Sequence, residues 1–288
     1  ARSPSSLGMV IGSVLHKDLA SRFDLSGRVA VITGAAGLLG RYHAHTVMMA
    51  GGIPVLLDLS DCSALKAELV SHYGGEVMVS QADITAPEQV ESVRDRIIAT
   101  HSRIDILINN AANNPKVEDN QAKFSRVEEF NIESWRRDLD VGLTGAFLCS
   151  RIFGATMAAA RKGVILNMSS DLGLIGPDQR IYRDASDEPD LAAVKPVTYS
   201  VVKAGLIGLT RYLATYWADK GVRVNAIAPG GVLNGQDDDF VERLSNLIPM
   251  GRMADVDEYQ AAIAFMISDA SSYMTGAVVS IDGGRTAW

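Results

Sequence analysis

The chain turns on one stretch, Val29-Ala30-Val31-Ile32-Thr33-Gly34-Ala35-Ala36-Gly37-Leu38-Leu39-Gly40. Val29 to Thr33 is an apolar run too short for a helix and reads as a strand. Leu38 to Ala50 reads as a helix, so the glycines between form a strand-to-helix turn. Glycine allows such a turn to be tight and lets backbone approach a pyrophosphate closely. The helix N-terminus adds unclaimed N–H groups and a partial positive charge. Gly34, Gly37, Leu38, Leu39 and Gly40 are therefore candidate phosphate contacts. Spaced glycines alone also describe a plain structural turn. The acid that follows favours the nucleotide reading. Asp58 ends the next apolar run, eighteen residues beyond Gly40, near the ~20 expected for a carboxylate that accepts from adenosine ribose hydroxyls. A carboxylate there repels a 2′-phosphate. The loop contains no Lys or Arg, and the first helical turn points Arg41 elsewhere. The expectation is NAD over NADP.

Outward from this turn, strands and helices alternate. Strands are expected at Ile53 to Leu57, Glu76 to Val79, Ile104 to Ile108, Val164 to Met168, Val222 to Ile227 and Ala277 to Ile281. Helices are expected at Asp61 to Tyr73, Pro87 to Thr100, Ile132 to Ala160 and Thr198 to Asp219. Continuous apolar strands alternating with helices imply a parallel sheet covered on both faces. Right-handed crossovers then leave the doubly wound α/β (Rossmann) fold, here with about seven strands in a single domain over residues 27–288. The last strand ends seven residues before the C-terminus. Residues 1–26 read as an N-terminal arm. Met9 is a candidate natural start, which would make residues 1–8 a vector-derived addition.

Composition excludes several classes. The 288 residues are 47% hydrophobic and carry a net charge of −7, without a basic run, which argues against nucleic acid or an anionic membrane as partner. Cys62 and Cys149 are far apart and form no metal or disulfide pattern, as suits a reducing cytoplasm. His43 and His45 belong to no zinc motif, so no metal is expected. No uninterrupted apolar run reaches the ~20 residues of a membrane span. The apolar residues Met9 to Leu15 lead at once to Lys17 and Asp18, so no signal peptide is expected.

The reaction chemistry is read from Ser169-Ser170, at the end of the fifth strand, and from Tyr199-Ser-Val-Val-Lys203. Tyr and Lys at i and i+4 share a helix face. A free phenol, with pKa ~10, is too weak a base near neutrality, and a neighbouring ammonium lowers it. Such a tyrosine can exchange a proton with an alcohol or ketone while hydride moves to or from nicotinamide. A second Tyr-x-x-x-Lys, Tyr216 to Lys220, lies about 25 Å further along the helix, away from the carboxyl ends of the strands where ligands bind. It reads as packing and a helix-end cation.

Together these features resemble the short-chain dehydrogenase/reductase family over roughly residues 27–284. Also matching are Asp83, Asn109-Asn110-Ala111-Ala112, Asn225-Ala-Ile-Ala-Pro229-Gly230-Gly231 and Ile281-Asp-Gly-Gly284. The resemblance implies Tyr199 as proton donor and acceptor. It implies that Lys203 holds the nicotinamide ribose and tunes Tyr199, and that Ser170 polarises the substrate oxygen. Asp83 and Ile84 would flank the adenine. Asn110, with Ala111 and Ala112, would meet its ribose. Pro229, Gly230, Val232 and Asn234 would hold the nicotinamide. A homotetramer or homodimer through the helices at 132–160 and 198–219 is also implied. Four positions depart from the family pattern. Leu38 stands where a second close glycine is usual, a spacing shared with sugar-nucleotide epimerases and dehydratases. Gly142 replaces the asparagine that steadies a proton-relay water. Ala112 replaces a glycine, and Asn234 a threonine.

Between Ser170 and Tyr199 lie 28 residues, more than the family usually needs. The extra stretch, about 178–196, reads as a substrate loop that contains Arg180, Tyr182, Arg183 and Lys195, the first three as candidate contacts. Arginine can grip a carboxylate or phosphate with two hydrogen bonds. The alternative is a solvated loop whose cations pair with Asp178, Asp184, Asp187 and Glu188. Asn113 begins a second polar loop. The expected substrate is a sugar, polyol or related polar or anionic small molecule. In overall pattern, Arg180-Ile-Tyr182 included, the chain looks like oxidoreductases of bacterial surface-sugar and flagellin-glycan biosynthesis. An epimerase or dehydratase on the same fold, and a non-catalytic NAD-binding scaffold, are the alternatives.

Overall fold

The computed structural model describes residues 16–113, 125–183 and 192–288. A short helix, α1 (Lys17–Ala20), precedes β1 (Val29–Thr33), α2 (Leu38–Met49), β2 (Ile53–Asp58), α3 (Ser63–Tyr73) and β3 (Met78–Gln81). Then come α4 (Pro87–His101), β4 (Ile106–Asn109), α5 (Ile132–Leu139), α6 (Gly145–Ala159), β5 (Gly163–Met168) and α7 (Val197–Tyr216). The chain closes with β6 (Val222–Pro229), α8 (Asp238–Ser245), α9 (Gln260–Ile267) and β7 (Val278–Ile281). The sheet order is β3-β2-β1-β4-β5-β6-β7, with every pairing parallel. This is the expected seven-stranded, doubly wound sheet.

Side chains alternate across each strand, and the alternation divides the core in two. Ala30, Ile32, Leu56 and Ile108 pack with Ala44 and Val47 of α2, Leu69 of α3 and Ile263 of α9. Val29, Val31, Leu57 and Leu107 face the other way, against Val93 of α4, Phe153 of α6 and Leu213 of α7. Because β1 and β2 are buried throughout their centres, their sequences read as unbroken apolar runs. Pro87 opens α4, where its missing N–H costs nothing. Leu25 is buried and its N–H donates to Ala50 O at 2.8 Å, so the arm's end is anchored to the fold.

Several expectations shift. The third strand starts at Met78, two residues later than expected. The helix expected over Ile132 to Ala160 is interrupted by a π-helical turn at Asp140–Thr144, which contains Gly142. By length and composition Ile132–Ala159 could cross a bilayer, although its α6 part packs on one face of the sheet, with Cys149, Phe153 and Met157 buried there. Helices α8 and α9 were not anticipated. Asp237 caps α8 by accepting from the N–H groups of Asp239 and Phe240, and Asp255 and Glu258 cap the turn before α9 reciprocally. Tyr216 is not a packing residue: it is 61% exposed and stacks on Tyr212, with ring centroids 5.8 Å apart. Lys220 pairs with Asp219 at 3.3 Å.

Candidate active site

The carboxyl ends of β1, β2, β4, β5 and β6 open onto one cleft of about 1510 Å³. At one end lies the glycine turn. Gly34 has φ +65°, and a Cβ there would stand 2.8 Å from Ala111 Cα. Gly37 caps α2 with no side chain over its first N–H groups. Gly34, Gly37, Leu38 and Leu39 line the cleft. Gly40 does not. A Cβ on Gly40 would sit 2.1 Å from Gly34 O, so its role is to let α2 rest on the turn, which corrects its expected place as a ligand contact.

Asp58 lines the cleft beside the turn and accepts from Ala36 N and Ser60 N, each at 2.9 Å. Arg41 turns away to Glu68, at 2.7 Å. Asp83, Ile84, Asn110, Ala111 and Ala112 form the next stretch of wall. Asn110 Nδ2 donates to Thr33 O and Gly34 O, each at 3.0 Å, tying β4 to the turn. Its Oδ1 meets His43 Nε2 at 3.2 Å. His43 is fully buried, and burial drives its pKa down to about 4, so the ring is neutral. Pro229, Gly230, Val232 and Asn234 line the wall after β6. Helical N–H groups that no side chain caps, a glycine turn that lets a ligand approach the backbone, and a carboxylate beside that turn suit a dinucleotide.

At the other end, Ser170, Tyr199 and Lys203 converge. Ser170 follows β5, while Tyr199 and Lys203 occupy the first turns of α7. Lys203 Nζ donates to Met168 O at 2.7 Å and lies 5.6 Å from the centre of the Tyr199 ring. Burial, then the charge of Lys195, lowers its pKa to about 8. Tyr199 departs from expectation: burial pushes its phenol up, against a downward pull from its hydrogen bond with Ser170. The reason is desolvation, which penalises the phenolate. Gly142 is buried, and a Cβ there would meet Val202 Cγ1 at 2.6 Å. The place of the expected asparagine side chain is thus filled by valine.

Of the substrate candidates, Tyr182 and Asn113 line the cleft. Tyr182 packs on Phe240, with centroids 5.6 Å apart, and Asn113 donates to Asp138 at 3.2 Å. Arg180 and Arg183 do not line it. Arg180 pairs with Asp178 at 2.6 Å with its side chain 81% exposed; the pairing holds the Asp178 carboxyl down at about 2. The solvated-pair alternative describes Arg180 correctly, because a carboxylate two residues away satisfies it locally. Asp184, Asp187 and Glu188 lie outside the described residues.

Asp171 and Arg285 were missed, and Lys195, one of the cations of the expected substrate loop, takes a defined place beside Tyr199. Lys195 places Nζ 4.0 Å above the Tyr199 ring. Asp171 and Arg285 form a buried ion pair at 2.7 Å. Their sequence signals were adjacency: Asp171 directly follows the serine pair, and Arg285 directly follows Gly283-Gly284. Among the described residues no cluster of three or more His, Cys, Asp or Glu could hold a metal ion.

A family model described as enoyl-(acyl carrier protein) reductase matches residues 34–286. The cis-4-hydroxycyclohexanecarboxylate dehydrogenase of Sinomonas cyclohexanicum is 33% identical over 265 residues, spanning 90% of this chain and 97% of its own. The D-threitol dehydrogenase of Mycolicibacterium smegmatis is 33% identical over 271 residues, spanning 92% and 95%. Among solved structures, a gluconate 5-dehydrogenase from Burkholderia cenocepacia J2315 in complex with NADP and tartrate is similar with TM-score 0.79. It is 26% identical and spans 93% of this chain and 99% of its own.

Proposed function

The chain belongs to the short-chain dehydrogenase/reductase family, and we propose that it interconverts a secondary alcohol and a ketone on a hydroxylated, polar small molecule, with NAD as preferred cofactor. The observation that carries this reading is the meeting of Ser170, Tyr199 and Lys203 in the same cleft as the glycine turn and Asp58. The relatives named above act on a hydroxycyclohexane carboxylate, a tetritol and gluconate, which supports a sugar, polyol or hydroxy-acid substrate.

A bound nicotinamide dinucleotide supplies hydride transfer, and Gly34, Gly37, Leu38, Leu39, Asp58 and Lys203 would hold it. Tyr199 takes the hydroxyl proton of an alcohol, or gives one to a carbonyl oxygen. Ser170 holds that oxygen by a hydrogen bond. The Lys203 ammonium, 5.6 Å from the centre of the Tyr199 ring, favours the phenolate form electrostatically. Asp58 supports NAD because its carboxylate disfavours a 2′-phosphate and Arg41 is committed to Glu68. Oligomerisation belongs to the proposal: Phe147 on α6 and Val201, Tyr212 and Tyr216 on α7 are large apolar side chains left exposed, which suits pairing of copies through these helices. A cytoplasmic location is also proposed, supported by two free, buried cysteines.

The test is a panel of sugars, sugar acids, sugar phosphates and polyols assayed in parallel with NAD and NADP. Turnover with NAD exceeding that with NADP is expected. Tyr199→Phe is expected to abolish it while NAD still raises the melting temperature. Undiminished turnover by the variant would sink the mechanism.

A further inference from the structure

Behind Ser170, the cleft's reacting end contains a hydrogen-bonded chain through Asp171 and Arg285 to which the proposed chemistry gives no part. Ser170 Oγ donates to Asp171 Oδ1 at 2.7 Å and accepts from Leu172 N at 3.2 Å. Asp171 Oδ1 also accepts from Leu172 N at 2.8 Å, and its Oδ2 accepts from Arg285 at 2.7 Å. Asp171 and Arg285 are 3% and 6% exposed, and both line the cleft. A buried ion pair is costly to desolvate and is weak evidence of stabilisation. This one joins the loop after β5 to the segment after β7, and it ends on the serine beside Tyr199.

A serine hydroxyl has one proton. Here two groups compete for it: the Asp171 carboxylate and the oxygen that Tyr199 or a substrate presents. With the proton on the Asp171 side, Ser170 turns a lone pair towards Tyr199. With the proton swung away, it donates to a carbonyl or phenolate oxygen. We propose that Asp171 and Arg285 are a positioning pair for the reaction, in which the carboxylate sets the direction of the Ser170 hydroxyl and the guanidinium holds the carboxylate in place. The proposal rests on the alcohol/ketone reading of the site.

The pair also sets the electrostatics at Tyr199. Asp171 opposes ionisation of the phenol. The other charged or titratable groups facing this region are Lys203 on the same helix, Lys195 from the loop before it, Tyr182, Tyr259 and Arg285. Asp138, from α5, is engaged by Thr198 at 2.6 Å. Neutralising each half of the pair should therefore move Tyr199 in opposite directions. Asp171→Asn keeps an acceptor for Ser170 but removes the negative charge, and the Tyr199 midpoint should fall by about one pH unit. Arg285→Gln leaves Asp171 unneutralised, and the midpoint should rise, by less than Asp171→Asn lowers it, because the guanidinium lies on the far side of the carboxylate from Ser170.

Two readouts apply to the whole folded chain. One is the acid limb of kcat/KM for alcohol oxidation. The other is the ultraviolet tyrosinate titration of each protein minus that of its Tyr199→Phe counterpart, which needs no substrate. If a single variant does not fold, Asp171→Asn with Arg285→Gln replaces it. That doubly neutral protein should shift downward by a smaller amount, since the carboxylate that opposes the phenol is gone. Midpoints that stay with the wild type, or that move in the same direction in both single variants, would overturn the proposal, because a purely structural pair would alter melting temperature alone. Shifted titrations in a protein that oxidises no alcohol would instead discard the function and keep the pair's effect on Tyr199.

Discussion

His43 shows how a single buried side chain ties the cofactor groove to pH. Its ring touches Asn110, which in turn holds the glycine turn. An unfolded histidine titrates at 6.5, and burial lowers His43 to about 4. Between those values the unfolded chain binds a proton that the folded chain refuses. Stability is therefore complete above the unfolded value and is lost as pH falls, at ~1.4 kcal/mol per pH unit until the folded value is reached. Denaturant titrations of the wild type and His43→Gln at several pH values should diverge in slope across this window. Identical slopes would show that His43 is not the group responsible. Carboxylates that titrate in both proteins cancel in the comparison.

At the scale of elements, the contact between the π-helical turn and α7 replaces a side chain expected from the family pattern. Glycine at 142 and valine at 202 are complementary in size, and the turn packs on α7 through them. Gly142→Asn should overpack this contact and cost about 1–3 kcal/mol. Adding Val202→Ala should recover most of the loss, since neighbouring substitutions are not additive. Melting temperatures of the two single variants and the double variant measure the coupling. A Gly142→Asn protein as stable as the wild type would mean that Val202 yields without strain.

At the scale of the molecule, the exposed Tyr212–Tyr216 stack lies on α7, whose opposite face packs on the sheet. The active-site end and the proposed contact surface are then parts of one helix. Light scattering on the wild type should show a dimer or tetramer, and Tyr212→Asp with Tyr216→Asp should yield smaller species while the fold persists. A wild-type monomer at assay concentrations would remove the proposed assembly.

The order of the seven strands and of the helices from α2 to α7, the glycine turn, Asp58 and the Tyr199/Lys203 spacing were legible in the amino-acid sequence, because each depends on local periodicity or fixed spacing. Strands buried on both faces, such as β1 and β2, announce themselves by unbroken apolar runs. Gly40 and Gly34 look alike in a motif, and only the packed α2 separates a helix contact from a groove residue. In sequence Arg180 fits a ligand contact or a local partner of Asp178 equally well, and the 2.6 Å between the two side chains decides for the pair. Asp171 and Arg285 are 114 residues apart in the chain, and no spacing rule joins them. What brings them together is the parallel sheet, which sets the ends of β5 and β7 along the same edge. The direction of the Tyr199 shift was likewise decided by the fold, because desolvation depends on what surrounds a group in space and has no counterpart in linear sequence.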